Sequence, residues 1–161
     1  MNTQMFFAET NDRNTLLDLV VRRLSSLPDA PGMQPNWGLE SSYDKWLAHE
    51  PKRKVAVSHV RDNWIAAVES KGVLDFAMLQ TITEVMECKV IACQLAGTID
   101  SWGYAYCSAA RLVESKWYEN DADPLNALRA YLRNHGVAHD LITFREAVRL
   151  RSEGWSVVAS R

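Results

Sequence analysis

A chain of 161 residues, 47% hydrophobic and 24% charged, is sized and composed for a single globular domain. Its formal net charge of −2 argues against a general nucleic-acid binder, which carries a basic surplus. No apolar run approaches the roughly 20 residues that span a bilayer, so no membrane partner is expected. Met1 to Thr10 has neither the basic nor the apolar region of a signal peptide. The cysteines, Cys88, Cys93 and Cys107, are odd in number and form no C-x-x-C pair. They are expected to be reduced thiols, and the protein cytoplasmic.

In chain order, Gln4 to Glu9 reads as a strand. From Asp12, the residues Leu16, Leu17, Val20, Val21 and Leu24 recur at helical spacing, until Pro28 and Pro31-Gly32 end the run. Residues 28–53 hold four of the five prolines and form an irregular excursion, with one or two helical turns over Ser42 to Ala48. A loop of this length in a domain is usually functional or poorly ordered. Lys54 to Val60 and Trp64 to Glu69 form a hairpin about Arg61-Asp62-Asn63. Val73 to Cys88 places Phe76, Leu79, Ile82 and Met86 on one helical face.

Lys89 to Leu95 is a strand, and Trp102 to Ala109 another. In the latter, Trp102, Tyr104 and Tyr106 face one way. Gly103, Ala105 and Cys107 face the other and leave room for a helix. Ala110 to Tyr118 continues extended after a bend. Asp123-Pro124 starts a helix that ends at His135-Gly136. Thr143 and Glu146 form a capping box for a last helix, ended by Gly154, and Trp155 to Ala159 closes the chain as a short strand. The expected fold is α+β: a mainly antiparallel sheet of five to seven strands, with about four helices packed on one face.

No motif assigns a catalytic centre. The glycine-rich phosphate loops and the G-x-S-x-G elbow are absent from the sequence. His135 and His139 have metal-ligand spacing, but Gly136 between them reads as a helix stop. Glu119, Asp121 and Asp123 lack the glycine and distal glutamate of a calcium loop, and read as a solvated turn before a helix. Cys93 or Cys107 with His59 would need a cationic neighbour to form a thiolate, and none is evident; Cys88, at a helix end, is expected to be more exposed. No metal or cofactor is therefore expected.

Candidate binding residues remain. Trp37, Tyr43 and Trp46 stand in the Pro-rich excursion among charges, a mixture suited to protein recognition. Arg145 and Arg149 share a helical face and could meet an acidic protein surface. Lys52-Arg53-Lys54 reads as protection of a strand edge. Tyr104, Tyr106, His59 and Glu69 could instead line a small-ligand or enzyme pocket on the sheet, and a nucleic-acid-directed regulator is a further alternative. The oligomeric state stays open.

The strand-then-helix opening MFFAETNDRNTLLDLV, the hairpin carrying Trp64 and Glu69, and the Trp102-Gly103 strand before a Leu-rich helix ending at Gly136 give the chain a familiar style. It resembles small bacterial immunity proteins of polymorphic toxin systems. That resemblance covers the whole-chain pattern, rests on no specific motif and transfers no functional residue. It implies a cytoplasmic, non-enzymatic inhibitor that binds one cognate toxin.

Overall fold

The structure, a computed structural model, describes residues 1–26, 53–70 and 75–159. Strand β1 spans Asn2–Glu9 and helix α1 Arg13–Ser25. Strands β2 (Lys54–Arg61) and β3 (Trp64–Glu69) precede helix α2 (Phe76–Val85). Strands β4 (Val90–Ala96), β5 (Ser101–Ser108) and β6 (Arg111–Tyr118) follow. Helices α3 (Pro124–Asn134) and α4 (Phe144–Arg149), a 3-10 turn (Leu150–Glu153) and strand β7 (Ser156–Ala159) complete the order. The excursion of residues 28–53 lies outside the described residues, apart from Arg53.

Side chains start the helices where short polar residues stand before apolar ones. The Asp12 and Asp75 carboxylates accept from the Thr15 and Met78 amides at 3.0 and 3.1 Å. Asp123 accepts from the Asn126 amide with Pro124 in the first turn, and Thr143 with Glu146 forms the expected capping box. Each cap supplies an acceptor to an amide that the helix itself leaves unpaired, worth about 1 kcal/mol.

Seven strands form one sheet in the order β6-β5-β4-β1-β3-β2-β7, every pairing antiparallel. The fold is α+β. Helices cover both faces, not one. Leu16, Val20, Leu79 and Ile82 of α1 and α2 pack on Phe6, Ile65, Val90 and Cys107. Leu128, Leu132 and Ala147 of α3 and α4 pack on Met5, Phe7, Ile91 and Tyr104 on the opposite side. The central strands show why. MFFA in β1, IAAV in β3 and VIAC in β4 are buried without alternation, which is the pattern of a sheet covered twice. Each large side chain buried this way contributes about 1.5–3 kcal/mol.

The small side of β5 lies toward α2, as its Ala105 and Cys107 join that layer. At Gly103 the space is taken by the neighbouring strand: an added Cβ would stand 2.4 Å from Trp117 Cε3 and 2.8 Å from the Lys116 carbonyl oxygen. The expected bend after Ala109 is a tight hairpin turn, with Ala109 and Ala110 at φ of 48° and 58°. The Ala110 amide donates to Thr83 Oγ1 of α2 at 3.1 Å, which holds that turn in place. Strand β2 is not an edge, because β7 pairs along its outer side and Lys54 lies opposite Ala159. The edge-protection reading of residues 52–54 is therefore corrected. Among the described residues, no helix is long and apolar enough to cross a membrane.

Candidate functional site

The sheet end formed by β5 and β6 carries a stacked aromatic flank. Period-two alternation puts Trp102 and Tyr104 on the α3 side of β5, with Lys116 and Tyr118 opposite them on β6. Helix α3 buries Leu128 and Leu132 against the sheet and so brings Tyr131 over it. The Tyr131 ring stacks on Tyr104 at 3.9 Å between centroids, and Trp102 stacks on Tyr118 at 4.4 Å. His135, one turn beyond Tyr131, lies 4.3 Å from its ring. His135 Nδ1 donates to the Tyr131 carbonyl at 2.9 Å, which fixes the tautomer.

Polar groups hold these rings at their edges. Trp102 Nε1 donates to Asp121 at 2.8 Å, and the Tyr104 hydroxyl donates to Glu114 at 2.6 Å. Lys116 Nζ sits 4.9 Å from the centre of the Tyr118 ring. Burial and the Glu114 carboxylate push the Tyr104 hydroxyl well above the ordinary phenol range. Burial also raises Tyr131, whose hydroxyl oxygen is buried without a hydrogen-bond partner. Tyr106, Tyr118 and Tyr131 are half-buried, while Glu114, Lys116 and His135 are exposed. The result is a rigid aromatic surface with charges at its rim.

The sequence-derived candidates fall elsewhere. Trp37, Tyr43 and Trp46 lie outside the described residues. Arg145 and Arg149 are both exposed on α4, and Arg145 lines a cleft of about 520 Å³ with Asn2, Gln4, Gln94 and Phe144. The four residues of the sheet-pocket reading do not converge. Tyr104 is buried beneath α3 with Tyr106 beside it, His59 is exposed on β2 with its ring 6.1 Å from His139, and Glu69 belongs to an ion cluster. The face that carries Tyr104 is filled by α3, and Glu69 lies apart from it, along the cleft that Arg145 lines.

The ion cluster is what the basic run at residues 52–54 contributes. Arg53 is buried, and donates to Glu69 at 3.0 and 2.6 Å and to Asp75 at 2.6 Å. Arg23 donates to Asp75 at 2.8 and 3.2 Å. Burial pushes the Glu69 carboxyl up, with the Arg53 charge opposing it. At Asp75 burial acts the same way, but the two guanidiniums outweigh it and hold the carboxyl below its ordinary value. The cluster joins α1, β3 and the cap of α2.

The thiols, His139 and the acidic pair Asp121 and Asp123 are engaged in structure. All three thiols are buried, Cys88 included, so its expected exposure is corrected. Burial raises Cys88 to about 11 and Cys93 and Cys107 to about 12, far from thiolate at neutral pH. His139 Nε2 donates to the Trp64 carbonyl at 2.9 Å, and burial lowers its pKa. Asp121 and Asp123 serve a turn and a helix cap. Among the described residues, no cluster of three or more His, Cys, Asp or Glu could hold a metal ion.

Three comparisons with known proteins add no relative: no family model, no curated protein and no solved structure matches the chain.

Proposed function

We propose that this chain is a non-enzymatic protein-binding domain, an immunity- or antitoxin-like inhibitor that neutralises a cognate toxin by direct contact. The observation that supports the reading is the aromatic flank. Tyr106, Tyr118 and Tyr131 stand half-exposed beside Lys116, Glu114 and His135. Tyrosines already stacked lose little conformational freedom on binding, and such residues dominate interface energetics. A partner covering this flank needs about 800 Å² of surface on each side for a stable complex. The style shared with bacterial immunity proteins supplies the toxin as the kind of partner.

The test is capture of the tagged protein from its native cytosol, followed by expression of the captured partner alone and with this chain. The expected result is a stoichiometric protein whose toxicity the wild-type chain relieves. A Tyr118→Ala/Lys116→Ala variant, checked for a cooperative melt, should lose both capture and relief. A partner held equally by wild type and variant, or a bound partner left fully active, would overturn the proposal.

A further inference from the structure

We infer that the outer edge of β6 is a self-association surface, on which a second copy of this chain pairs antiparallel about Ser115 to give a two-fold dimer with one continuous sheet. It goes beyond the protein-binding reading and does not rest on it.

The sheet ends in two unlike edges. Strand β7 is four residues long and β6 is eight, and among the described residues no strand pairs along the outer side of either. An edge strand presents a row of backbone N–H and C=O groups that another strand can take up. Shortness protects β7. On β6 the exposed side chains decide what can approach.

Those side chains are ordered by sign. Glu114 and Lys116 lie opposite Tyr106 and Tyr104 of β5, so both stand on the α3 side of the sheet, and both are exposed. Among the described residues neither has a salt-bridge partner. The Tyr104 hydroxyl donates to Glu114 Oε1 at 2.6 Å and holds that carboxylate at the sheet face. Two-fold pairing about Ser115 sets Glu114 of each copy opposite Lys116 of the other, on one face, so symmetry makes the charge pair twice. Centring the pairing on Glu114 or on Lys116 instead sets that charge against its own copy. The register shift of β6 against β5, between Leu112 and Glu114, lies outside these central pairs. Farther out, Val113, 58% exposed, comes alongside the half-buried Trp117 of the second copy. The strand ends match in sign as well, with Arg111 at one end and Glu119 just past the other. A lone lysine on an edge repels a copy. A lysine two residues from a glutamate on the same face recognises one.

The helix on that side leaves room. Helix α3 rests on β4 and β5, set back from the edge. In the dimer the two β5 strands are three strand spacings apart, about 14 Å. The two α3 helices therefore stand farther apart than the helix width of about 10–12 Å.

A ladder this short covers less than a standard interface, so the dimer is reversible. Sedimentation equilibrium of the purified full chain from about 1 µM to about 1 mM should show a monomer–dimer equilibrium. Glu114→Lys alone and Lys116→Glu alone each set like charges opposite one another in two places. Each should raise the dimer dissociation constant by roughly tenfold or more. Mixing the two variants sets the two lysines of one chain opposite the two glutamates of the other, and should restore dimerisation. Ser115→Cys should form a disulfide-linked dimer under mild oxidation, because directly opposite Cα atoms lie about 4.5–5.5 Å apart. Val113→Cys, two residues from the two-fold axis, should not. A wild-type chain that stays monomeric throughout overturns the proposal. So do a dimer that neither charge variant weakens, a mixture no tighter than its two components, and cross-linking of Val113→Cys in place of Ser115→Cys. Because the readout is the mass of the purified chain, none of these outcomes depends on whether a toxin partner exists.

Discussion

Replacing Arg53 by Leu removes one side of a buried ion pair and leaves the other in place. Both side-chain hydrogen bonds to Glu69, at 3.0 and 2.6 Å, come from Arg53. Asp75 loses one donor but keeps Arg23 at 2.8 and 3.2 Å and the Met78 amide at 3.1 Å. The loss therefore concentrates on Glu69, which is 5% exposed. Breaking a buried pair in this way costs about 3–5 kcal/mol, a large share of the roughly 5–15 kcal/mol that holds a domain folded. At about 2–4 °C per kcal/mol for a chain of this size, melting should fall by about 6–20 °C.

The pH dependence gives the sharper test. Burial already holds the Glu69 carboxyl above its ordinary value of 4.5, and losing Arg53 raises it further. A carboxyl with a raised folded pKa binds more protons folded than unfolded, so its contribution to stability falls as pH climbs from the unfolded value to the folded one. Asp75 has the opposite sign, since its lowered carboxyl contributes above the unfolded value and loses that contribution in acid. In the variant Asp75 loses the Arg53 charge, the largest single influence that lowers it, and keeps Arg23, so its contribution also shrinks and does not oppose the Glu69 effect. Urea unfolding at about pH 5 and about pH 7.5 should show a wild-type-to-variant gap that widens at the higher pH. An equal gap at both, or one under about 1 kcal/mol, would refute the reasoning. Adding Glu69→Leu to the variant should recover most of the loss, because no buried charge is then left alone.

Gly103→Ala should cost about 1–3 kcal/mol, read from its urea midpoint, because the new Cβ meets Trp117 and the Lys116 backbone. Ala110→Gly should raise that midpoint by the equivalent of about 1 kcal/mol, since glycine relieves the left-handed φ of 58°. A maleimide or disulfide reagent near pH 8 should leave Cys88, Cys93 and Cys107 unmodified in the folded protein and label all three in denaturant. Rapid native labelling of any one would contradict its burial.

Much of the fold was legible because local chemistry and long-range packing agree. The caps at Asp123 and Thr143, the hairpin at Asp62-Asn63 and the alternation of Trp102, Tyr104 and Tyr106 each depend on nearby residues, and each stands where the pattern puts it. The second helical layer was harder to see. Its signal was the unbroken burial of MFFA and VIAC, which reads equally well as any buried strand until its neighbours are known. Arg53 looked like a surface charge because its carboxylate partners are 16 and 22 residues away. The aromatic flank was half visible. The β5 rings share a face in the sequence, but only the packing of α3 brings Tyr131 and His135 onto them. The cleft beside Arg145 had no local signature, because it lies where the pairing of β1 with β3 stops at Met5 while that of β1 with β4 continues to Asn2.

The central place of β1 has a consequence for how the chain is made. Its neighbours are β3, which ends at Glu69, and β4, which ends at Ala96. At roughly 5–20 residues per second, synthesis takes on the order of ten seconds to run from Glu9 to Ala96. Throughout that interval Gln4-Met5-Phe6-Phe7-Ala8 has at least one unpaired edge. Ribosome-bound chains stopped before Ala96 should therefore be the ones that holdase chaperones grip, and chains stopped well beyond it should be released.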